Sequence, residues 1–166
     1  MANSFEINLD PDAWIPHPTA HPDRGVVRDR PYWAFDAAAD EIIKSKAFRM
    51  PSTYTGSGSL KLDVFYAMAS ATSGSVDFHA SIEAITSGDA FDTDAGESFA
   101  AQSTASQAVP GTAGYMSVLT ITIANTDSAA AGDMVRLILV RNGNDPTNDT
   151  APGDCRVYTC CFREET

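Results

Sequence analysis

The sequence predicts an all-β protein: a jelly-roll β-sandwich of about eight antiparallel strands behind an extended, Pro-rich N-terminal arm. Three observations carry that expectation. Apolar residues recur at period two in one segment after another. Clusters of Gly, Pro, Asn and Asp punctuate the chain every dozen or so residues. No stretch sustains a helical period over the length of an ordinary helix. The expected organisation is an arm over residues 1–31 and a sandwich domain over 32–166.

The arm is set apart by its prolines, at positions 11, 16, 18, 22 and 31. Proline at this density forbids a helix and weakens any strand. Phe5, Ile7, Leu9, Trp14 and Ile15 still need burial, and Tyr32 and Trp33 stand at the arm's base. A stiff segment with spaced apolar anchors suits docking into grooves on a neighbour. The other reading folds the same segment back over its own domain.

The domain then reads strand by strand. Residues 31–36, PYWAFD, form a short aromatic strand. The Ala-rich start of 37–50 permits a helix with Ala38, Glu41, Ile42 and Lys44 at helical spacing. It also permits a strand through Ile42, Ile43, Ala47 and Phe48, which the surrounding β pattern favours. Residues 60–68 alternate cleanly, with Leu60, Leu62, Val64, Tyr66 and Met68 on one face. Residues 76–86 alternate again, and the short link SATSGS predicts a hairpin between the two. A loose Ala- and Ser-rich stretch follows, with a weak strand near 98–109. Residues 115–125 are β by their Val, Leu, Ile and Thr content. Residues 133–141 are apolar on both faces, which marks a central strand. The loop NGNDPTNDTAPGD leads to a last strand over 155–162, and its Asn and Asp residues read as turn formers.

Composition narrows the function. A net charge of -11 and 20% charged residues argue against nucleic acid and against an anionic membrane surface. No window approaches the apolar run of about 18 residues that a membrane helix needs, and the N-terminus does not read as a signal peptide. Cys155, Cys160 and Cys161 make a poor disulfide framework and read as small core residues of a reducing compartment. His17 and His21 lie among prolines, without a helix on which to converge. His79 shares a polar strand face with Asp77, Ser81 and Glu83, a routine pattern for a solvated or subunit-facing sheet. Asp89, Asp92, Asp94 and Glu97 in one loop, and Asp145, Asp149 and Asp154 in another, do not follow the EF-hand order. The reading therefore assigns no catalytic residue, metal or cofactor, and expects no enzyme.

Leu60, Leu62 and Tyr66, the turn Ser70-Ala71-Thr72-Ser73-Gly74, Gly132-Asp133 with Arg136 and Leu137, and Asp149-Thr150 with Gly153-Asp154 belong to a pattern that covers roughly residues 51–160. This pattern resembles the small β-sandwich structural proteins of tailed bacteriophages, which decorate capsids or form tail and fibre domains. The resemblance implies a homotrimeric jelly roll on the virion, assembled in the bacterial cytoplasm. It would be a capsid decoration (cement) protein that binds the major capsid protein. In that reading Phe5, Ile7, Leu9, Trp14 and Ile15 are arm anchors, with Tyr32 and Trp33 at the base. The alternative is a carbohydrate- or receptor-binding β-sandwich, on a tail fibre or free-standing. Its candidate aromatics are Tyr54, Phe65, Phe91 and Tyr115.

Overall fold

Alternating segments become strands once each finds neighbours for its backbone and a facing sheet for its apolar side. In the computed structural model, which describes residues 3–89 and 97–166, twelve strands pair into two six-stranded antiparallel sheets. They are β1 (Asn3–Leu9), β2 (Trp14–Pro16), β3 (Asp23–Val27), β4 (Arg30–Phe35), β5 (Asp40–Ser45) and β6 (Phe48–Arg49). The rest are β7 (Ser59–Met68), β8 (Ser75–Ile85), β9 (Ser103–Ala108), β10 (Ser117–Thr122), β11 (Met134–Asn142) and β12 (Cys155–Glu165). The only helical turn among the described residues is a 3-10 turn at Pro11–Ala13.

The first sheet runs β10-β7-β12-β4-β3, with β1 also beside β12; the second runs β2-β5-β11-β8-β9, with β6 also beside β11. Leaving out β1, β2, β3 and β6, eight strands remain. In chain order they lie sixth-third-eighth-first in one sheet and second-seventh-fourth-fifth in the other. Each sheet thus draws on both halves of the chain, the double Greek-key wrapping of a jelly roll. The core lies between the sheets. Leu60, Leu62, Val64 and Tyr66 of β7 face Val76, Phe78, Ala80 and Ile82 of β8 and Val135, Leu137 and Leu139 of β11, and all are buried. Phe35 and Phe78 meet edge to face across the sheets, 5.5 Å apart. Full burial of each such side chain is worth about 1.5–3 kcal/mol.

Two expectations are corrected. First, the Pro-rich segment is not a free arm. β1 pairs with β12, β2 with β5, and β3 with β4. Phe5, Leu9, Trp14 and Trp33 belong to the hydrophobic core, and Ile7 packs against it. Phe5 lies against Phe162 and Tyr54; the indoles of Trp14 and Trp33 donate to the carbonyls of Leu9 and Pro11. Side chains committed in this way are not available to a capsid. Of the expected anchors Ile15 alone is largely exposed, and Tyr32 is half-buried. Second, β7 and β8 are not a hairpin. β7 pairs with β10 and β12, whereas β8 pairs with β11 and β9. The link between them crosses the sandwich, and its Gly74 has φ +90° and lies on the backbone of Thr150 and Ala151, which a Cβ would meet at 2.8 Å. Both amides of Thr150 and Ala151 donate to Ser75 O.

One charge lies fully inside. Arg141, on the core side of β11, is completely buried. Its guanidinium donates to both oxygens of Asp149, at 2.9 and 2.8 Å, and to the carbonyls of Phe35, Ala151 and Gly153. Burial works against the charge, but the Asp149 carboxylate outweighs it and raises the Arg141 pKa above its ordinary value.

At the far end of β12, the buried Glu164 carboxylate accepts from the Ser4 hydroxyl, the Thr55 and Gly58 amides and the Thr55 hydroxyl. Burial raises its pKa, but these four donors hold it down to about 2, against an ordinary 4.5. A carboxyl whose pKa is depressed by folding stabilises the fold above its unfolded pKa. The stability it contributes should therefore be complete above pH 4.5 and decline toward pH 2, and Glu164→Gln should flatten that part of a denaturant-midpoint titration. Deleting residues 1–30 should leave no cooperative thermal transition, because it strips β1, β2 and β3 and three buried core side chains, each costing about 2–5 kcal/mol when truncated. A folded, cooperatively melting truncation would return those residues to the status of an arm.

Candidate ligand-binding groove on the outer face of the first sheet

β12 is longer than its neighbours on one side. β4 accompanies it over Cys155–Val157, and β1 over Cys160–Glu165. At the change of partner β12 bulges: Val157 opposes Tyr66 of β7, and Thr159 opposes Phe65, leaving Tyr158 as the extra residue. A bulge re-aims side chains that strict alternation would send to opposite faces. Tyr158 and Thr159 both line one groove of about 570 Å³ on the outer face of the sheet.

The walls of this groove come from the turns on either side of the partner change. Asp10, Pro11 and Asp12 follow β1, Asp29 sits in the β3–β4 turn, and Arg30 and Pro31 open β4. Across the groove stand Ala67, Gly114 and Met116. Each wall is fixed. The 3-10 turn closes with Ala13 N donating to Asp10 O at 2.8 Å, and the Trp33 indole holds Pro11 O at 3.0 Å. Arg24 pairs with Asp12 at 2.6 Å and lies over the Trp33 ring. The β3–β4 hairpin turns on Arg28 and Asp29, both at positive φ, the two-residue geometry that matches strand twist. Gly114 N donates to Met68 O. The Thr159 hydroxyl lies 3.3 Å from Leu9 O and 3.4 Å from Asp10 Oδ1, tying the bulge to the end of β1.

The apolar side of the groove is aromatic and thioether. Tyr158 meets Tyr32 edge to face at 5.7 Å, and the Arg156 guanidinium stacks on Tyr32. Met116, which lines the groove, and its chain neighbours Tyr115 and Val118 are exposed at 57, 66 and 40%. Chemically, the groove offers an aromatic surface facing carboxylates and one guanidinium. Among the described residues no three His, Cys, Asp or Glu side chains are arranged to hold a metal ion.

The expected site residues fall in different places. Tyr54 packs on Phe5, and its burial raises the phenol pKa. Phe65 is half-buried on the outer face, paired across from Val118 and Thr159. Tyr115 is exposed but does not line the groove, while Phe91, Asp92 and Asp94 lie outside the described residues. Asp145 accepts from Thr147 N and from Asn148 as a turn former, but Asp149 is the buried partner of Arg141. Glu97 pairs with Lys44 and Arg136. On the polar face of β8, expected to be solvated or subunit-facing, Asp77, Ser81 and Glu83 are buried within the chain. Phe99 lies over Lys44 and Arg136, and Ser98 N donates to Glu83. His79 bonds Asp77 and Gln102 beside a polar groove of about 350 Å³, whose lining has neither an aromatic carbocycle nor a thioether. Tyr158 and Met116 escaped the sequence reading. A signal was present: the core-facing run Cys155, Val157, Cys160, Phe162 steps by three between Val157 and Cys160, which is the bulge.

No protein-family model matches the chain, and no curated protein matches it. Among solved structures it is similar to CsCBM6-3 from Clostridium stercorarium, determined in complex with cellobiose. The identity is 12% and the TM-score 0.57, over 98% of this chain and 95% of that one. It is also similar to part of the arabinose-bound α-L-arabinofuranosidase MgGH51, at 14% identity and TM-score 0.50 over 91% of this chain. That match takes in 23% of the enzyme, so the chain spans about a quarter of its length. At these identities the likeness shows the fold, an antiparallel β-sandwich shared with a carbohydrate-binding module.

The exposure of Met116 is open to a direct check. Met116 is exposed, whereas Met50 and Met68 are buried. Mild peroxide should oxidise Met116 to the sulfoxide well ahead of Met50 and Met68, as read by peptide mass spectrometry.

Proposed function

We propose that the chain is a carbohydrate-binding β-sandwich module and that the groove at the β12 bulge holds the glycan. The observation that carries this reading is the pairing of an aromatic and thioether wall, Tyr158 and Met116, with a polar wall of Asp10, Asp12, Asp29 and Arg30. A sugar ring presents an apolar C–H face and a rim of hydroxyls. Tyrosine supplies a rigid apolar surface for the first. Carboxylates accept from hydroxyls in charge-assisted hydrogen bonds, and an arginine donates to ring and hydroxyl oxygens. A concave, mainly apolar surface with a few placed polar groups is the usual form of a small-molecule site. The fold shared with CsCBM6-3 supports the same reading.

The module binds rather than transforms. Among the described residues, the side-chain partners of His79 are the Asp77 carboxylate and the Gln102 amide. The capsid-decoration reading drew on an arm, and three of its five anchors, Phe5, Leu9 and Trp14, together with Trp33 at its base, are in the core. Shell binding, a homotrimer and a virion location belong to that reading.

Affinity electrophoresis in gels containing neutral soluble polysaccharides, together with a glycan array, tests the proposal. The chain should be retarded by at least one neutral glycan. Tyr158→Ala should weaken that binding about tenfold or more, in the range of alanine substitutions at interface hot spots. Retention of the thermal midpoint in Tyr158→Ala would separate a lost contact from a lost fold. An intact variant that binds as tightly as the parent chain would move the site elsewhere.

A further inference from the structure

We infer that Gly25, on the edge strand β3, is a positioning residue for the groove: it leaves the slot in which the Tyr32 ring lies, and Tyr32 sets the tilt of Tyr158. The inference rests on the groove being the ligand site. Gly25 lies directly opposite Tyr32 in the β3–β4 ladder. A Cβ at position 25 would come within 2.4 Å of Tyr32 Cζ, 2.5 Å of its Oη and 2.6 Å of its Cε2. Those separations are far below carbon–carbon contact, which lies near ~3.5–4.0 Å. The ring therefore crosses the strand where any other residue would carry its side chain.

Backbone conformation does not require glycine here, because Gly25 is not among the residues with positive φ. Glycine inside a strand is otherwise unfavourable, costing entropy and packing nothing, and it marks the close approach of another group. The approaching group is Tyr32. Its surroundings confine it, with the Arg156 guanidinium 5.1 Å from the ring centroid and Tyr158 5.7 Å away at an interplanar angle of 63°. A methyl group at position 25 must push the Tyr32 ring off the slot. The ring then moves against Tyr158, the aromatic wall of the groove. β3 borders only β4, so the displacement is local to one edge of the sheet.

The test is a double-mutant cycle of Gly25→Ala and Tyr32→Ala in the full chain. The readouts are affinity for the neutral glycan that retards the wild-type chain and the ring resonances of Tyr158 in tyrosine-labelled protein. Gly25→Ala should weaken binding about tenfold in the parent background and have no further effect once Tyr32 is alanine, the signature of residues acting through one contact. The Tyr158 resonances should shift with Gly25→Ala only when Tyr32 is present. Equal losses in both backgrounds, or none in either, would overturn the positioning role. If the wild-type chain binds no glycan, the ligand reading fails, and the Tyr158 resonances alone still decide whether Gly25 positions that ring.

Discussion

The buried pair Arg141–Asp149 is the constraint on which the rest of the sandwich depends. A guanidinium without contact with water needs all five of its N–H groups satisfied. Asp149 takes two, and the carbonyls of Phe35, Ala151 and Gly153 take the other three. Asp149 also accepts from Asp77 N near the start of β8. One charge pair therefore ties the end of β4, the start of β8, the end of β11 and the loop that delivers β12, joining both sheets at one end. Losing one partner of such a pair strands the other and costs about 3–5 kcal/mol. The value of the pair lies in what it fixes: the path of residues 143–154, and through it where β12 begins.

Much of this was legible in the sequence. The eight jelly-roll strands announce themselves because each needs one buried face, and alternation reports that face directly. β11 reads as central because both its faces are apolar, and it lies between β5 and β8. Arg141 alternates onto the core face of that strand, yet a charge there reads as an exception until its partner is known. What alternation does not report is the neighbour. β7 and β8 have the pattern of a hairpin and instead face each other across the core, because a six-residue link can as readily cross a sandwich as reverse within a sheet. The Pro-rich segment misleads for a related reason. Its prolines occupy positions that owe no ladder hydrogen bond: Pro11 opens the 3-10 turn, Pro16 ends the edge strand β2, and Pro31 precedes the stretch of β4 that β12 joins. Phe5, Leu9 and Trp14 announced a need for burial, and their own core met it.

The groove was the least legible feature because no local run of residues builds it. Its aromatic wall belongs to the last strand, its polar wall to turns near the N-terminus, and its Gly114 and Met116 to the link before β10. The candidate aromatics of the sequence, Tyr54, Phe65, Phe91 and Tyr115, do not include Tyr158. Tyr158 is hidden in a strand whose composition looks like core, and only the three-residue step from Val157 to Cys160 betrays that it turns outward.

The two ends of the chain are thus one construction. β12 changes partners because the N-terminal segment crosses it once as β1 and returns beside it as β4. The ladder breaks at that exchange, the bulge fills the break, and the turns that follow β1 and precede β4 become the walls of the groove. The strands that close the core are the strands that shape the site. On the proposed reading, a ligand between Tyr158 and residues 10–12 and 29–31 would bridge elements that separate on unfolding, so its binding energy would add to the docking of the N-terminal strands. Core packing and groove meet at the same three residues of β12, Val157, Tyr158 and Thr159, of which one seals the core and two line the groove.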